Sequence, residues 1–187
     1  MIYIKDNFLD QELFDLLKQN VQEFKKVDTP GKSFWIHLAE KNLIKYISIK
    51  LGDIENCKVD NVLAFFREAK QGQDNDWRIH NDTIINDQQP DRAVVLYMSP
   101  SSKNTLNGTA FWKHKEYGDT YPTGKTTEEF NKMLTEDAND TSKWELKSVI
   151  GHKENRLISY PCEYFHSKYP NEFQSSRIVF VMFYKIK

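Results

Sequence analysis

The run RIVFVMFY at residues 177–184 is the strongest strand signal in the chain. After its arginine, seven apolar residues follow without a polar interruption, and most of them are β-branched or aromatic. Such a run predicts a strand buried on both faces, so we place it at the centre of a sheet. Two environments are then possible for Arg177. It either meets an anionic partner, because an unpaired buried charge is costly, or it lies exposed at the strand end.

Short runs of the same character recur from Val59 onward, and clusters of Asp, Asn, Gly and Pro separate them. This pattern is typical of a β-sandwich or a β-barrel. The predicted strands cover residues 59–66, 77–80, 93–98, 109–113, 144–150, 156–160 and 177–186. The fold class is therefore expected to be mainly β, with helices before the strands (α+β).

Helical periodicity is concentrated at the amino-terminal end. Asp10 is the expected N-cap of a helix that ends near Lys26, because apolar residues recur between them at helical spacing. A second apolar stripe predicts a helix that stops at Gly52. A third, short helix is predicted by the capping box of Thr126 and Glu129.

We expect one domain over residues 1–187, since the length corresponds to about one domain of ordinary size. Residues 1–58 would pack as helical support on one sheet, and residues 59–187 would form the β core. The polar residues 118–143 interrupt the strands and would be either a surface insertion or a lid over a site.

The composition excludes several classes of protein. Lys and Arg number 26 against 27 Asp and Glu, so no sequence-wide basic excess favours nucleic acid, although a local basic groove is compatible with this balance. The chain contains no run of about 18 apolar residues and no signal-like start, so we expect a cytoplasmic protein without a membrane partner. Cys57 and Cys162 are expected to be two reduced thiols. The composition leaves the oligomeric state open.

The tripeptide His80-Asn81-Asp82 carries the first hint of chemistry. On an extended segment, residues two apart point to the same side, so the imidazole and the carboxylate converge. A third ligand from a distant strand would complete a two-histidine, one-carboxylate face on Fe(II). Taken alone, the tripeptide also fits an ordinary surface loop. His166 and then Arg177 follow it near the end of the chain.

This ordered set of residues resembles the Fe(II)/2-oxoglutarate-dependent dioxygenases, and among them the prolyl-4-hydroxylase-like branch with its small bacterial and phage-encoded members. The resemblance covers about two thirds of the chain, from Val59 to Tyr184. Its motifs are His80-x-Asp82, RAVVLYM at 92–98, NGTAFW at 107–112, NRLISYP at 155–161, His166 and Arg177.

The resemblance implies a double-stranded β-helix, or jelly-roll, in which His80, Asp82 and His166 hold Fe(II). It implies that Arg177, with Tyr97, binds the far carboxylate of 2-oxoglutarate, and that O2 is the second co-substrate. The implied reaction hydroxylates a C–H bond and releases succinate and CO2. The implied substrate is a prolyl or other amino-acid side chain of a peptide or protein, with a small molecule as the alternative.

Some features separate the chain from particular relatives. Many collagen-type prolyl hydroxylases have a lysine in place of Arg177, and the nucleic-acid demethylases of this superfamily carry a second arginine that the last strand lacks. A non-catalytic β-sandwich that merely retains the residues is the rival of a different class. Trp112 and Arg78 are candidates for the substrate pocket, against core packing for Trp112 and a solvent-facing side chain for Arg78.

Overall fold

Strands dominate the part of the chain that the computed structural model describes, namely residues 1–29, 32–70, 77–100, 107–120, 126–170 and 176–187. The strands are β1 (Tyr3–Lys5), β2 (Lys25–Thr29), β3 (Lys32–Leu38), β4 (Val59–Ala69), β5 (Arg92–Tyr97), β6 (Gly108–His114), β7 (Trp144–Gly151), β8 (Leu157–Pro161), β9 (His166–Tyr169) and β10 (Arg177–Ile186). The helices are α1 (Gln11–Gln19), α2 (Lys41–Glu55) and α3 (Thr127–Asp137), with a 3-10 turn at Thr141–Lys143.

The strands form two antiparallel sheets. Within the described residues, the larger sheet has the order β1–β8–β5–β10–β4–β3–β2 and the smaller has the order β7–β6–β9. β10 lies between β5 and β4, so the prediction of a central strand is confirmed.

The continuous apolar run of β10 has a direct explanation, because both faces of this strand are covered. Phe180, Met182 and Tyr184 pack in the core that includes helices α1 and α2. Val179 and Phe183 face the other way, into the core shared with residues of the smaller sheet. A mainly β jelly-roll with helices on one face of its larger sheet is therefore confirmed.

The first predicted helix is too long. Asp10 caps it as expected, accepting a hydrogen bond from the Leu13 backbone N–H at 3.0 Å, but α1 ends at Gln19. Residues 25–29 form β2 instead, paired with β3 in an antiparallel hairpin. Val21 and Phe24 fit the helical spacing, yet they pack on the core from the segment that connects α1 to β2. The sequence Thr29-Pro30-Gly31 predicts a break in the chain. Thr29 ends β2, and residues 30–31 lie outside the described residues.

The second predicted helix ends too early. α2 continues past Gly52 and stops at Asn56, which adopts the left-handed conformation with φ 51°. Gly52 meets a different requirement, because a Cβ there would lie 2.6 Å from the carbonyl oxygen of Cys57. The glycine permits the close return of the chain after the helix, and Asn56 supplies the turn.

The structure confirms the third helix and the two free thiols but not the strand predicted at residues 77–80. The capping box of Thr126 and Glu129 is present and begins α3, whereas residues 77–80 form only an isolated bridge through His80. Cys57 and Cys162 are both free thiols, as expected. Among the described residues, no helix combines the length and the apolar character that crossing a bilayer requires.

Candidate metal centre and cavity

Backbone hydrogen bonds bring His80, Asp82 and His166 together from two distant parts of the sequence. His166 begins β9, whereas His80 and Asp82 lie in the segment between β4 and β5. His80 and His166 exchange both backbone hydrogen bonds, at 3.0 and 2.8 Å. The backbone N–H of Asp82 donates to the carbonyl of Cys162 at 2.8 Å. The isolated bridge between His80 and His166 therefore positions His80, a role for which the sequence predicts a regular strand at residues 77–80.

The side chains of these three residues converge on one point. One donor atom from each lies within 4.8 Å of the other two. The Nε2 atom of His166 is 3.2 Å from one oxygen of Asp82, and the Nε2 atom of His80 is 3.7 Å from the other. The His166 side chain is 7% exposed and that of Asp82 12%, while His80 keeps 35% open. Asp82 and His166 are thus largely buried, and the group is accessible to solvent on the side of His80.

The other nitrogen of each imidazole is already engaged, which fits the group to a metal ion. Nδ1 of His80 is 2.7 Å from the carbonyl of Arg78, and Nδ1 of His166 is 3.0 Å from the carbonyl of Tyr164. A carbonyl accepts only, so in the neutral ring Nδ1 carries the proton and Nε2 presents its lone pair. Such backing of a ligating histidine is typical of metal sites. Two imidazoles and a carboxylate suit Fe(II).

Electrostatics tie the carboxylate to the imidazoles. Burial alone raises the pKa of Asp82, but the charge and hydrogen bond of His166 outweigh burial and hold that pKa below its ordinary value. For His166, burial lowers the pKa, and the charge and hydrogen bond of Asp82 raise it above the ordinary value overall. A centre in which one carboxylate attracts two rings is ready to accept a divalent cation in place of a proton.

Arg177 lies at the start of β10, 8% exposed, on the wall of the same cavity. Its guanidinium carbon is 5.2 Å from the centre of the Tyr97 ring. Tyr97 is fully buried, and its hydroxyl is 2.8 Å from the Oγ1 atom of Thr109. Thr109 lines the cavity whereas Tyr97 lies behind it. The structure thus brings the two predicted co-substrate residues together and adds Thr109, which lines the cavity and is hydrogen-bonded to Tyr97.

The cavity in front of the metal centre has a volume of about 730 Å³ and mostly apolar walls. The larger sheet supplies its floor through inward residues of β10 and β4, such as Val179, Val181 and Phe65. The β2–β3 hairpin extends the same face towards the opening. A cavity of this size and character is typical of a small-molecule or side-chain binding site.

The two candidates for the substrate pocket occupy different places. Arg78 lines the cavity, has a positive φ of 45°, and is held through its backbone N–H by Asn139 at 2.8 Å. Trp112 is not among the lining residues; it packs behind Trp77 at 5.6 Å and donates to Ser167 at 2.9 Å. Trp77 and Ser167 do line the cavity. Trp112 therefore supports the wall from the core.

The described residues of the 118–143 segment lie behind the metal centre. Phe130 and Met133 of α3 pack with Ile79, whose backbone N–H donates to the carbonyl of Ala138 at 3.0 Å. None of the described residues of this segment lines the 730 Å³ cavity. They buttress the loop that carries His80 and Asp82; residues 121–125 lie outside the described part.

Sequence reasoning missed two features of the cavity. One is Arg67 on β4, whose guanidinium carbon lies 4.7 Å from the centre of the Phe34 ring. The other is the apolar face of the β2–β3 hairpin. A signal for Arg67 was available, because it interrupts the alternate apolar positions of β4, Leu63 and Phe65, at the next inward place.

One protein-family model matches more than half of the chain. The sequence model of a family described as "Family of unknown function (DUF6445)" matches residues 67–174, a segment that contains the three clustered side chains. None of the curated proteins matches the chain.

Solved structures at low sequence identity share the fold. The viral collagen prolyl hydroxylase vCPH of Paramecium Bursaria Chlorella virus-1, in a 2-oxoglutarate complex, is 14% identical with a TM-score of 0.58, over 98% of this chain and 94% of that chain. A Pseudomonas putida prolyl-4-hydroxylase is 9% identical with a TM-score of 0.58, over 100% and 92%. HygX of Streptomyces hygroscopicus, with nickel, 2-oxoglutarate and hygromycin B bound, is 9% identical with a TM-score of 0.64, over 98% and 82%.

The predicted kinship is therefore confirmed at the level of the fold. Since the family match spans more than half of the sequence, the chain belongs to the family DUF6445, and its fold is that of the Fe(II)/2-oxoglutarate-dependent oxygenases.

Proposed function

We propose that the chain is an Fe(II)- and 2-oxoglutarate-dependent dioxygenase that hydroxylates a C–H bond. The observation that carries this proposal is the convergence of His80, Asp82 and His166, with donor atoms within 4.8 Å, on a cavity that Arg177 also lines. The three residues would hold Fe(II) and leave about three coordination positions open for co-substrates.

The residues of the chain would bind, orient and shield the reactants. Arg177 would bind the far carboxylate of 2-oxoglutarate through its planar fork, with Thr109 and Tyr97 beside it. Val179 and Val181 would keep water from the reacting side of the cavity. When bound, Fe(II) supplies the O2-dependent oxidation in which 2-oxoglutarate is converted to succinate and CO2. No side chain is required as a nucleophile or general base.

For the substrate we propose a prolyl or other amino-acid side chain of a peptide or protein. Support comes from two structural neighbours that are prolyl hydroxylases, vCPH and the Pseudomonas putida enzyme. A small molecule is the second candidate, because the cavity of about 730 Å³ has the size of sites that enclose small ligands. HygX, with hygromycin B bound, is a neighbour of that kind.

The test is succinate formation from 2-oxoglutarate under O2 with added Fe(II), in the presence of proline-containing peptides and small molecules. We expect turnover by the wild type and a loss of at least about 100-fold in His166→Ala, since one ligand of three is removed. His37→Ala is the matched control, because His37 stacks on Phe66 at 6.0 Å, on the helix side of the sheet. Equal background rates in wild type and His166→Ala would contradict the proposal.

A non-catalytic binding module is separated from an enzyme by a binding measurement. We expect Mn(II) with N-oxalylglycine, a 2-oxoglutarate analogue, to raise the melting temperature of the wild type, because both bind only the folded state. His166→Ala should lose this shift. A wild-type melting temperature that stays constant with both ligands would favour the module.

A further inference from the structure

Three side chains with a hydroxyl are among the described residues that line the cavity, and one of them differs from the other two. The Thr109 hydroxyl is paired with that of Tyr97 at 2.8 Å, and the Ser167 hydroxyl accepts from Trp112 at 2.9 Å. The third is Tyr160 on β8, which is only 2% exposed. Within the described part of the chain, its hydroxyl has no hydrogen-bond partner. A buried polar group of this kind requires an explanation.

Packing accounts for the ring of Tyr160 but not for its hydroxyl. The ring lies 5.1 Å from that of Phe111, edge to face, and 4.8 Å from that of His166. A phenylalanine would keep both contacts and would avoid placing an unpaired oxygen in a mostly apolar cavity. The oxygen is not among the fully enclosed unpaired atoms of the described residues, so it reaches the small surface that Tyr160 exposes to the cavity. A ligand in the cavity can therefore contact it.

Tyr160 is close to the metal centre and within the electrostatic reach of Arg177. On the sheet it lies opposite Ala93 of β5, and Tyr97, the neighbour of Arg177, is on the same face of β5 four residues further on. Burial is the main cause that raises the pKa of Tyr160 well above its ordinary value. The charge of Asp82 is the next cause, and Arg177 acts in the opposite direction with a smaller effect. Both ends of the site proposed for 2-oxoglutarate thus act on this residue, and the metal end acts more strongly.

We propose that the Tyr160 hydroxyl donates a hydrogen bond to the metal-binding carboxylate of 2-oxoglutarate. This inference rests on the proposed function and adds a binding residue for the co-substrate. A phenol is a donor at neutral pH, since its ordinary pKa is about 10, and a carboxylate that gives one oxygen to a metal keeps a second oxygen to accept. Arg177 would hold the far carboxylate, so the two residues would fix opposite ends of the molecule.

The experiment compares the wild-type chain with Tyr160→Phe, which removes one oxygen and keeps the ring. Calorimetry measures the binding of N-oxalylglycine to each protein loaded with Mn(II), a combination that does not turn over. We expect the affinity to fall about 10- to 100-fold, the range typical of a hydrogen bond to a charged group. The affinity for Mn(II) alone should be unchanged, because the three metal-binding side chains remain. The melting temperature without ligands should stay the same or rise, since the variant no longer buries an unpaired hydroxyl.

Tyr184→Phe is the matched control, because the Tyr184 hydroxyl is buried but paired. It lies 2.8 Å from the Ser159 hydroxyl and donates to Glu55, and the ring packs on the helix side of the sheet. This variant should lower the melting temperature and leave the affinity for N-oxalylglycine unchanged. If Tyr160→Phe behaved in the same way, its hydroxyl would be a structural group and the inference would be wrong.

Oxalate identifies the end of the co-substrate that Tyr160 contacts. It reproduces the metal-binding half of N-oxalylglycine and lacks the far carboxylate. We expect Tyr160→Phe to weaken the binding of oxalate to the Mn(II)-loaded protein by a similar factor. Weaker binding of N-oxalylglycine with unchanged binding of oxalate would place the hydroxyl at the far carboxylate and overturn the inference.

Failure of the proposed function gives a different result. If Mn(II) and N-oxalylglycine do not bind the wild type, the proposed function is wrong, and this inference is wrong as well. If both bind, and N-oxalylglycine binds Tyr160→Phe as tightly as the wild type, the inference alone is wrong. Unchanged affinity for N-oxalylglycine with weaker binding of a proline-containing peptide would assign the hydroxyl to the primary substrate and also overturn it.

Discussion

Among the described residues of the larger sheet, the buried arginines Arg92 and Arg177 lie in different surroundings. Arg92 forms an ion pair with Glu55 at 3.0 Å and donates to the Ser159 hydroxyl at 2.9 Å. Arg177 faces the cavity, and burial lowers its pKa, since its charged form is less solvated there. Arginine nevertheless stays protonated in proteins. The ion pair with Glu55 accounts for Arg92 within the fold, whereas for Arg177 we propose a bound anion, the far carboxylate of 2-oxoglutarate.

This contrast gives a prediction for Arg177→Met. We expect the affinity for N-oxalylglycine to fall about 10- to 100-fold, while Mn(II) still binds at the unchanged His80, Asp82 and His166. The free energy of unfolding should fall by less than about 1 kcal/mol, because replacing a buried charge by an apolar side chain is often neutral. Calorimetry and urea unfolding measure the two effects.

Arg92→Met is the matched comparison and should behave in the opposite way. Removing one partner of a buried ion pair costs about 3–5 kcal/mol, so stability should fall while N-oxalylglycine affinity of the folded protein persists. An Arg177→Met variant that loses stability but keeps its affinity would mean that Arg177 is a structural residue like Arg92.

For single residues, the clustering of His80, Asp82 and His166 could be predicted from sequence, whereas the cavity wall that contains Arg67 could not. The spacing in His80-x-Asp82 and the later His166 are local and ordered signals. The inward position of Arg67 depends on which face of β4 meets the cavity, and that is decided by its pairing with β10 and β3. The alternation with Leu63 and Phe65 marks the face of β4 that Arg67 shares, but the pairing that turns this face to the cavity joins strands far apart in sequence and leaves no mark within β4.

Among the elements, β6 depends on a glycine for a reason that its motif does not reveal. Gly108 pairs with Gly151 of β7, and a Cβ on it would lie 2.0 Å from the carbonyl oxygen of Ile150 and 2.9 Å from the backbone N of His152. Its role is thus to let two backbones approach. The next residue, Thr109, lines the cavity and contacts Tyr97, so the position of β6 also shapes the site.

We therefore predict that Gly108→Ala lowers the free energy of unfolding by about 1–3 kcal/mol, because neighbouring backbone must move. It should also weaken N-oxalylglycine binding, since Thr109 moves with the strand. Gly118→Ala is the control: its φ of 95° makes a side chain strained, yet nothing lies within 4 Å of a Cβ there. That variant should lose some stability and keep its affinity. If both variants bound N-oxalylglycine with equal affinity, the position of β6 would have no influence on the site.

The β2–β3 hairpin was missed for a physical reason at the same scale. Val21 and Phe24 continue the helical spacing of α1, and this local pattern competes with the strand that follows. β2 forms because β3 pairs with it and with β4, a tertiary stabilisation that overrides the local signal. The same hairpin forms the apolar wall of the cavity, so an error in the fold also concealed part of the site.

At the scale of the whole molecule, the net charge is −1, and the described lining of the cavity contains four Arg or Lys residues and one carboxylate. Overall balance therefore argues against a polyanion partner without excluding a single anionic substrate. Some acidic residues form ion pairs that join segments distant in the sequence. Asp6, just after β1, is one of these, because it pairs with Arg156 and Lys153 near the start of β8.

The link through Asp6 depends on pH. Hydrogen bonds from Arg156 at 2.6 Å and Lys153 at 2.8 Å hold the pKa of Asp6 well below its ordinary value of 3.8. A carboxyl with a lower pKa in the folded state contributes stability above about pH 4 and loses this contribution as the pH falls further. The side chain is 37% exposed, so solvent screening limits the contribution to about 1 kcal/mol.

Asp6→Asn should therefore lower the free energy of unfolding by about 1 kcal/mol at pH 7 and by clearly less at pH 3. Urea unfolding of both proteins at the two pH values measures the difference. Asp15→Asn in α1 is the matched control, because Asp15 is an exposed carboxylate 3.5 Å from Lys18 and lies within one helix. Its effect should be smaller, since it joins no distant segments. If Asp6→Asn lowered the free energy of unfolding by the same amount at pH 7 and pH 3, the cause would be a disturbance of packing by the amide and not the loss of a charge.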